Sequence, residues 1–90
     1  MKAVILDSLR FTDRRTAHEY ISAELGFPAH YGHNLDALAD CLSELPRDVC
    51  IVLLHRDGLT SEVGGYTECI AETISEILTS RCRFVRIQCK

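Results

Sequence analysis

Three carboxylates recur at every fourth position in one stretch of this chain: Asp36, Asp40 and Glu44. Glu68, Glu72 and Glu76 repeat that spacing further on. An i, i+4, i+8 set lies along one side of an α-helix, so each triplet forms a ridge of negative charge if its segment is helical. Like charges at this spacing cost a helix about 0.2–0.5 kcal/mol per pair, and stability alone favours Glu–Lys pairs there. Two ridges without cations point to a surface that meets a cationic partner, because complementary potentials speed encounter and filter partners. One ridge taken singly is explained as well by a solvated helix face.

Other chemistries find less support. His30 and His33 lie just before the first ridge, and an acid–base pair with Asp36 or Asp40 needs only these residue types. No glycine-rich phosphate loop or recognisable nucleophile site accompanies them, so the chain reads as a binding module and not an enzyme. The five cysteines, Cys41, Cys50, Cys69, Cys82 and Cys89, form no CxxC pair, which leaves neither a zinc knuckle nor a thioredoxin motif. An odd count with no signal peptide argues against a secreted disulfide framework. The cysteines are expected as small hydrophobes in or near the core of a cytoplasmic protein, a Cys41–Cys82 disulfide after purification remaining open. No metal or cofactor is expected.

The chain has 90 residues, 47% of them hydrophobic and 26% charged, which suits one small domain over residues 1–90 and argues against disorder. The net charge of −3 lacks the basic excess of a nucleic-acid-binding domain, and no apolar run reaches the roughly 20 residues of a membrane span. The near-neutral total hides a segregation. Residues 30–46 and 57–80 hold eight acids and no Lys or Arg, while the rest holds five acids and ten basic residues.

The elements that carry the ridges follow from hydrophobic periodicity. Lys2–Asp7 reads as a strand. Residues 14–25 read as a helix, with Ala17, Ile21 and Leu25 on one stripe and Gly26 past its end; Thr12, Asp13 and Thr16 are the candidate caps. Asn34 caps a second helix through about Leu45, with Leu35, Leu38, Leu42 and Leu45 opposite the acids. Val49–His55 contains a continuous apolar run fitting a strand buried on both faces. His55–Gly65 reads as a loop with a short helical turn around Leu59–Val63, and the Gly64-Gly65 pair as a hinge. Tyr66–Ser80 reads as a helix with Ile70, Ile74 and Ile77 inward, and Arg83–Cys89 as a strand with one wetter face. Helices separate all three strands, which predicts an α/β fold with a small three-stranded parallel sheet packed by helices.

The stretch from Phe27 to Leu42, with Pro28, Tyr31-Gly32, Asn34-Leu35-Asp36-Ala37-Leu38 and Asp40-Cys41-Leu42 at fixed spacing, resembles the barstar family of intracellular ribonuclease inhibitors. Ala3-Val4-Ile5 at the start and Glu76 and Cys82 near the end also fall at matching places. The resemblance implies the same three-stranded fold. It further implies that the second helix and the loop before it enter the active site of a small, secreted, guanyl-specific barnase-like ribonuclease, where a carboxylate can replace RNA phosphate on arginine forks. Matched onto this chain, Asp40 is the central plug, Asp36 its acidic neighbour and Glu76 a supporting contact from the last helix. His30, Gly32, His33 and Asn34 press on the enzyme surface, Gly32 by close approach or an unusual backbone angle and Asn34 either as a contact or as the helix cap. Ala39 completes the face.

Two positions depart from the family pattern. His30 stands where the well-known inhibitor of the family has a tyrosine and Ala39 where it has a tryptophan, and large aromatics anchor interfaces. That departure leaves a second expectation beside the first, an immunity or regulatory protein of the same fold that binds a different basic toxin or enzyme.

Overall fold

Val4 and Leu6 are buried while Ala3 and Ile5 are exposed, and this alternation makes Lys2–Asp7 a strand, β1. The computed structural model describes residues 2–56, 61–78 and 83–89, and their side chains apart from those of residues 61, 62 and 89. A 3-10 turn over Ser8–Arg10 follows β1. Helix α1 spans Arg14–Leu25. Among its candidate caps Asp13 prevails, its carboxylate accepting from the Thr16 amide at 2.8 Å. Gly26 ends the helix at φ 71°, a left-handed angle that glycine adopts without steric cost. Helix α2 covers Leu35–Ser43 and strand β2 Val49–Arg56. Helix α3 runs over Ser61–Leu78 and strand β3 over Arg83–Cys89.

The strands form one parallel sheet in the order β1-β2-β3, as the alternation with helices requires. Val4, Leu6, Val49, Ile51 and Leu53 meet Ile21, Leu38, Leu42, Ile70, Ile74 and Leu78 in the core. The end of the sheet is fastened by charge. Arg56 holds Asp7 with two hydrogen bonds of 2.9 and 3.1 Å, and the Ser8 hydroxyl accepts from the Arg56 amide. The Arg56 hydrogen bonds are the main reason why the Asp7 carboxyl titrates below the usual carboxylate range.

Three expectations are corrected. Residues 61–65 belong to α3, so Gly64-Gly65 is neither loop nor hinge but the interior of a helix. Two glycines cost roughly 1 kcal/mol each there; the packing of Val63 and Tyr66 on the core and the burial of Thr67 offset that cost. The part of the expected loop at residues 57–60 lies outside the described residues. Strand β2 is not buried on both faces: Val49, Ile51 and Leu53 are buried, whereas Cys50, Val52 and Leu54 are half-buried. Strand β3 has no dry side among Val85, Arg86, Ile87 and Gln88, all four of which are exposed. The register aligns Val85 with Val52 and Ile87 with Leu54, on the face turned away from the helices, and Val85 and Ile87 remain 38% and 43% exposed. Arg86 points to the helix side and pairs with Glu68.

A candidate protein-docking face on α2

Helix α2 is held from below and from its start. Leu38 and Leu42 are completely buried, and each such side chain stabilises the fold by about 1.5–3 kcal/mol. They fix the rotation of the helix about its own axis. With the leucines inward, Asp36 and Asp40 must face out, and both are exposed. Neither forms a salt bridge among the described residues. Asp36 lies in the first turn, where the helix dipole favours a negative charge; Glu44 sits at the C-cap, where it does not, and the last turn carries no basic residue. At its Glu44 end the ridge therefore carries an electrostatic cost that no salt bridge among the described residues offsets.

The loop before α2 is shaped by short-range bonds. The Asn34 side-chain oxygen accepts from the Ala37 amide at 2.8 Å, and its amide nitrogen donates to the Gly32 carbonyl at 3.1 Å. Both ends of this side chain thus cap the helix and brace the loop. At Gly32 the chain is tight against itself. A Cβ there would meet the Ala37 Cβ at 3.2 Å and the Asn34 amide nitrogen at 3.3 Å, and φ is not positive. The unusual backbone angle belongs to the next residue, His33, at φ 54°, a left-handed conformation in which histidine is enriched among non-glycine residues. His30 is exposed, and Ala39 is half-buried on α2.

Helix α3 packs against α2. Ile70 and Ile74 are completely buried, with Glu72 and Glu76 exposed. The second ridge is shorter than its sequence suggests. Glu68 is taken up by Arg86 and lies 3.5 Å from His55, which leaves Glu72 and Glu76 as its unpaired members among the described residues.

The Cys41 thiol is not poised for chemistry. Burial raises the Cys41 pKa, and the neighbouring Glu44 and Asp40 charges push it further the same way, against thiolate formation. Cys41 and Cys50 are half-buried, as small hydrophobes would be, but Cys69 is exposed. Cys82 and its pairing with Cys41 lie outside the described residues. Among those residues no group of three or more His, Cys, Asp or Glu could hold a metal ion, and no helix is long and apolar enough to cross a membrane.

One cluster escaped the sequence reading. His18 on α1 is completely buried. Its Nδ1 lies 2.7 Å from the Tyr31 hydroxyl and its Nε2 lies 2.6 Å from the Tyr66 hydroxyl. The signal was present, since His18 precedes Ile21 by three positions and Leu25 by seven, on the same stripe. Burial, aided by the charge of His33, lowers the His18 pKa below the ordinary 6.5. The unfolded chain therefore binds the proton first as pH falls. The stability contributed by neutral His18 is complete above about pH 6.5 and is lost as pH drops from there toward the folded-state value. Urea midpoints between pH 8 and 5 should decline through that window, and His18→Gln should flatten the decline. Asp7 and Asp13, whose pKa values are lowered from 3.8, act only below about pH 4 and leave the window clear.

The fold is a parallel three-stranded sheet with helices on one face, and it carries a capped helix whose outer side is acidic and without salt bridges among the described residues. The chain belongs to the barstar family: the family model Barstar (barnase inhibitor) matches residues 1–88. This is a family of inhibitors, not of enzymes. A relative from Bacillus subtilis (strain 168), named "Putative ribonuclease inhibitor YrdF", is 34% identical over 79 residues, covering 84% of this chain and 85% of the relative.

Proposed function

We propose that this chain is a cytoplasmic inhibitor of a barnase-like, guanyl-specific ribonuclease, and that it acts by occlusion with no chemistry of its own. Asp40 enters the cationic active site in place of RNA phosphate, and Asp36 extends the anionic contact. Glu76 supports from α3, and His30, Gly32, His33, Asn34 and Ala39 supply the surrounding surface. The observation that carries this reading is the pair of exposed carboxylates, Asp36 and Asp40, left without salt bridges among the described residues on a helix whose rotation the core fixes. A ribonuclease site built for phosphate supplies the arginine forks these oxygens lack.

Occlusion makes a specific demand. Binding to the ribonuclease should weaken in proportion as a short, non-cleavable oligonucleotide fills the enzyme's active site. Binding that is indifferent to a saturating oligonucleotide would place the contact elsewhere on the enzyme. A second reading is favoured by Ala39 and His30. With no large side chain on this part of α2, the face offers less anchoring area, which suits a different basic toxin or enzyme bound through the same acidic helix. That reading is favoured if no barnase-like ribonuclease competes for the face.

A further inference from the structure

Of residues 26–34, only Tyr31 is fully buried. Its ring packs against Phe27 and His33 at centroid distances of 5.1 and 5.3 Å, and its amide donates to the Pro28 carbonyl. Its hydroxyl ends on His18, and the other nitrogen of His18 ends on Tyr66 of α3. Arg14 lies over the Tyr66 ring at 4.8 Å. A neutral imidazole has one donor and one acceptor, so one tyrosine donates to His18 and the other accepts from it. Both ring nitrogens and both hydroxyl oxygens of the trio are then hydrogen-bonded, which favours a defined arrangement in a buried site. An apolar side chain of similar size would fill the same space. What it could not do is fix the direction and depth of Tyr31, and with it the loop.

We infer that His18 is a positioning residue for the partner-binding face: through the Tyr31 hydroxyl it holds the 30–34 loop in register with α1 and α3. The inference rests on the reading of that loop as part of the docking surface. It differs from a merely stabilising role in what it demands. A core residue that only stabilises lowers the protection of all amides together. A positioning residue loosens the loop more than the sheet.

The test uses His18→Phe, which keeps a ring and leaves two tyrosine hydroxyls without a partner, and His18→Gln, which restores a donor and an acceptor. Tyr31→Phe removes only the hydroxyl through which His18 reaches the loop and serves if His18→Phe does not fold. Hydrogen exchange is read at the Tyr31 and Ala37 amides, both hydrogen-bonded within the loop and cap, against Ile51 and Leu53 in the central strand. Affinity for an inhibited ribonuclease is read where each variant is fully folded. Leaving a buried hydroxyl unpaired corresponds to about a tenfold effect or more. The expected result is exchange at Tyr31 and Ala37 accelerated about tenfold beyond any change at Ile51 and Leu53, with affinity reduced about tenfold, and both largely rescued in His18→Gln. Loop and sheet amides changing in step, or unchanged affinity with a loosened loop, would overturn the inference. If the unsubstituted protein inhibits no ribonuclease, the inhibitor reading fails by itself, and the exchange arm still decides whether His18 holds the loop.

Discussion

Replacing Asp40 with alanine is expected to cost the inhibitor most of its affinity while leaving its fold intact. The carboxylate is exposed in the free protein, has no salt bridge among the described residues, and lies on the outer side of α2. Its removal takes no atom from the core and relieves repulsion with Asp36 and Glu44, so stability should hold or rise by a few tenths of a kcal/mol. In the complex the opposite holds. A cation of the ribonuclease that is desolvated against Asp40 would be left buried and unpaired. Such truncations cost about 2–5 kcal/mol, or roughly 30- to several-thousand-fold in affinity, mainly through a faster off-rate. That range is the general one for charge pairs buried at interfaces, and the barnase–barstar complex reaches above it. Stopped-flow dissociation beside a urea melt separates the two effects. A variant that loses stability and keeps its off-rate would place Asp40 in the fold and not in the contact.

Two residues further along the same helix the balance reverses. Leu42 is completely buried, and Leu42→Ala removes packing that the surrounding side chains recover only in part. Substitutions of this kind cost about 2–5 kcal/mol, a large share of the roughly 5–15 kcal/mol that holds a domain together. The urea midpoint should fall accordingly with an unchanged slope. The fraction that remains folded should bind with near-normal affinity, since Leu42 faces away from the partner. A pair of variants on one helix thus separates the surface that binds from the core that orients it.

The elements were legible in the sequence where periodicity and caps agreed. Helix α1 ends at Gly26 and α2 starts at Asn34 because single residues with specific chemistry mark those points. The rotation of α2 was legible too, since Leu35, Leu38 and Leu42 on one side and Asp36 and Asp40 on the other divide the helix cleanly. What escaped depends on neighbours distant in the chain. Gly64 and Gly65 look like a break because their local preference opposes a helix, and only packing of α3 on the core overrides it. Alternating with Arg86 and Gln88, Val85 and Ile87 suggest a strand with one wetter face. Their exposure follows from Phe84 and Arg86 being turned toward the helices, with Arg86 reaching Glu68. The same contact shortens the second ridge, which no count of charges along the chain could reveal. His18 was hidden by its type: the stripe position was visible, but its partners Tyr31 and Tyr66 lie 13 and 48 residues away.

One titration tests occlusion of a ribonuclease active site most directly. Increasing amounts of this protein are added to a barnase-like ribonuclease, and RNA cleavage is followed at each ratio. An inhibitor that occludes the active site should reduce cleavage linearly to a floor near one inhibitor per enzyme, and dilution should slowly restore activity. Undiminished cleavage by every barnase-like ribonuclease in a panel, with the protein in large excess, would contradict occlusion.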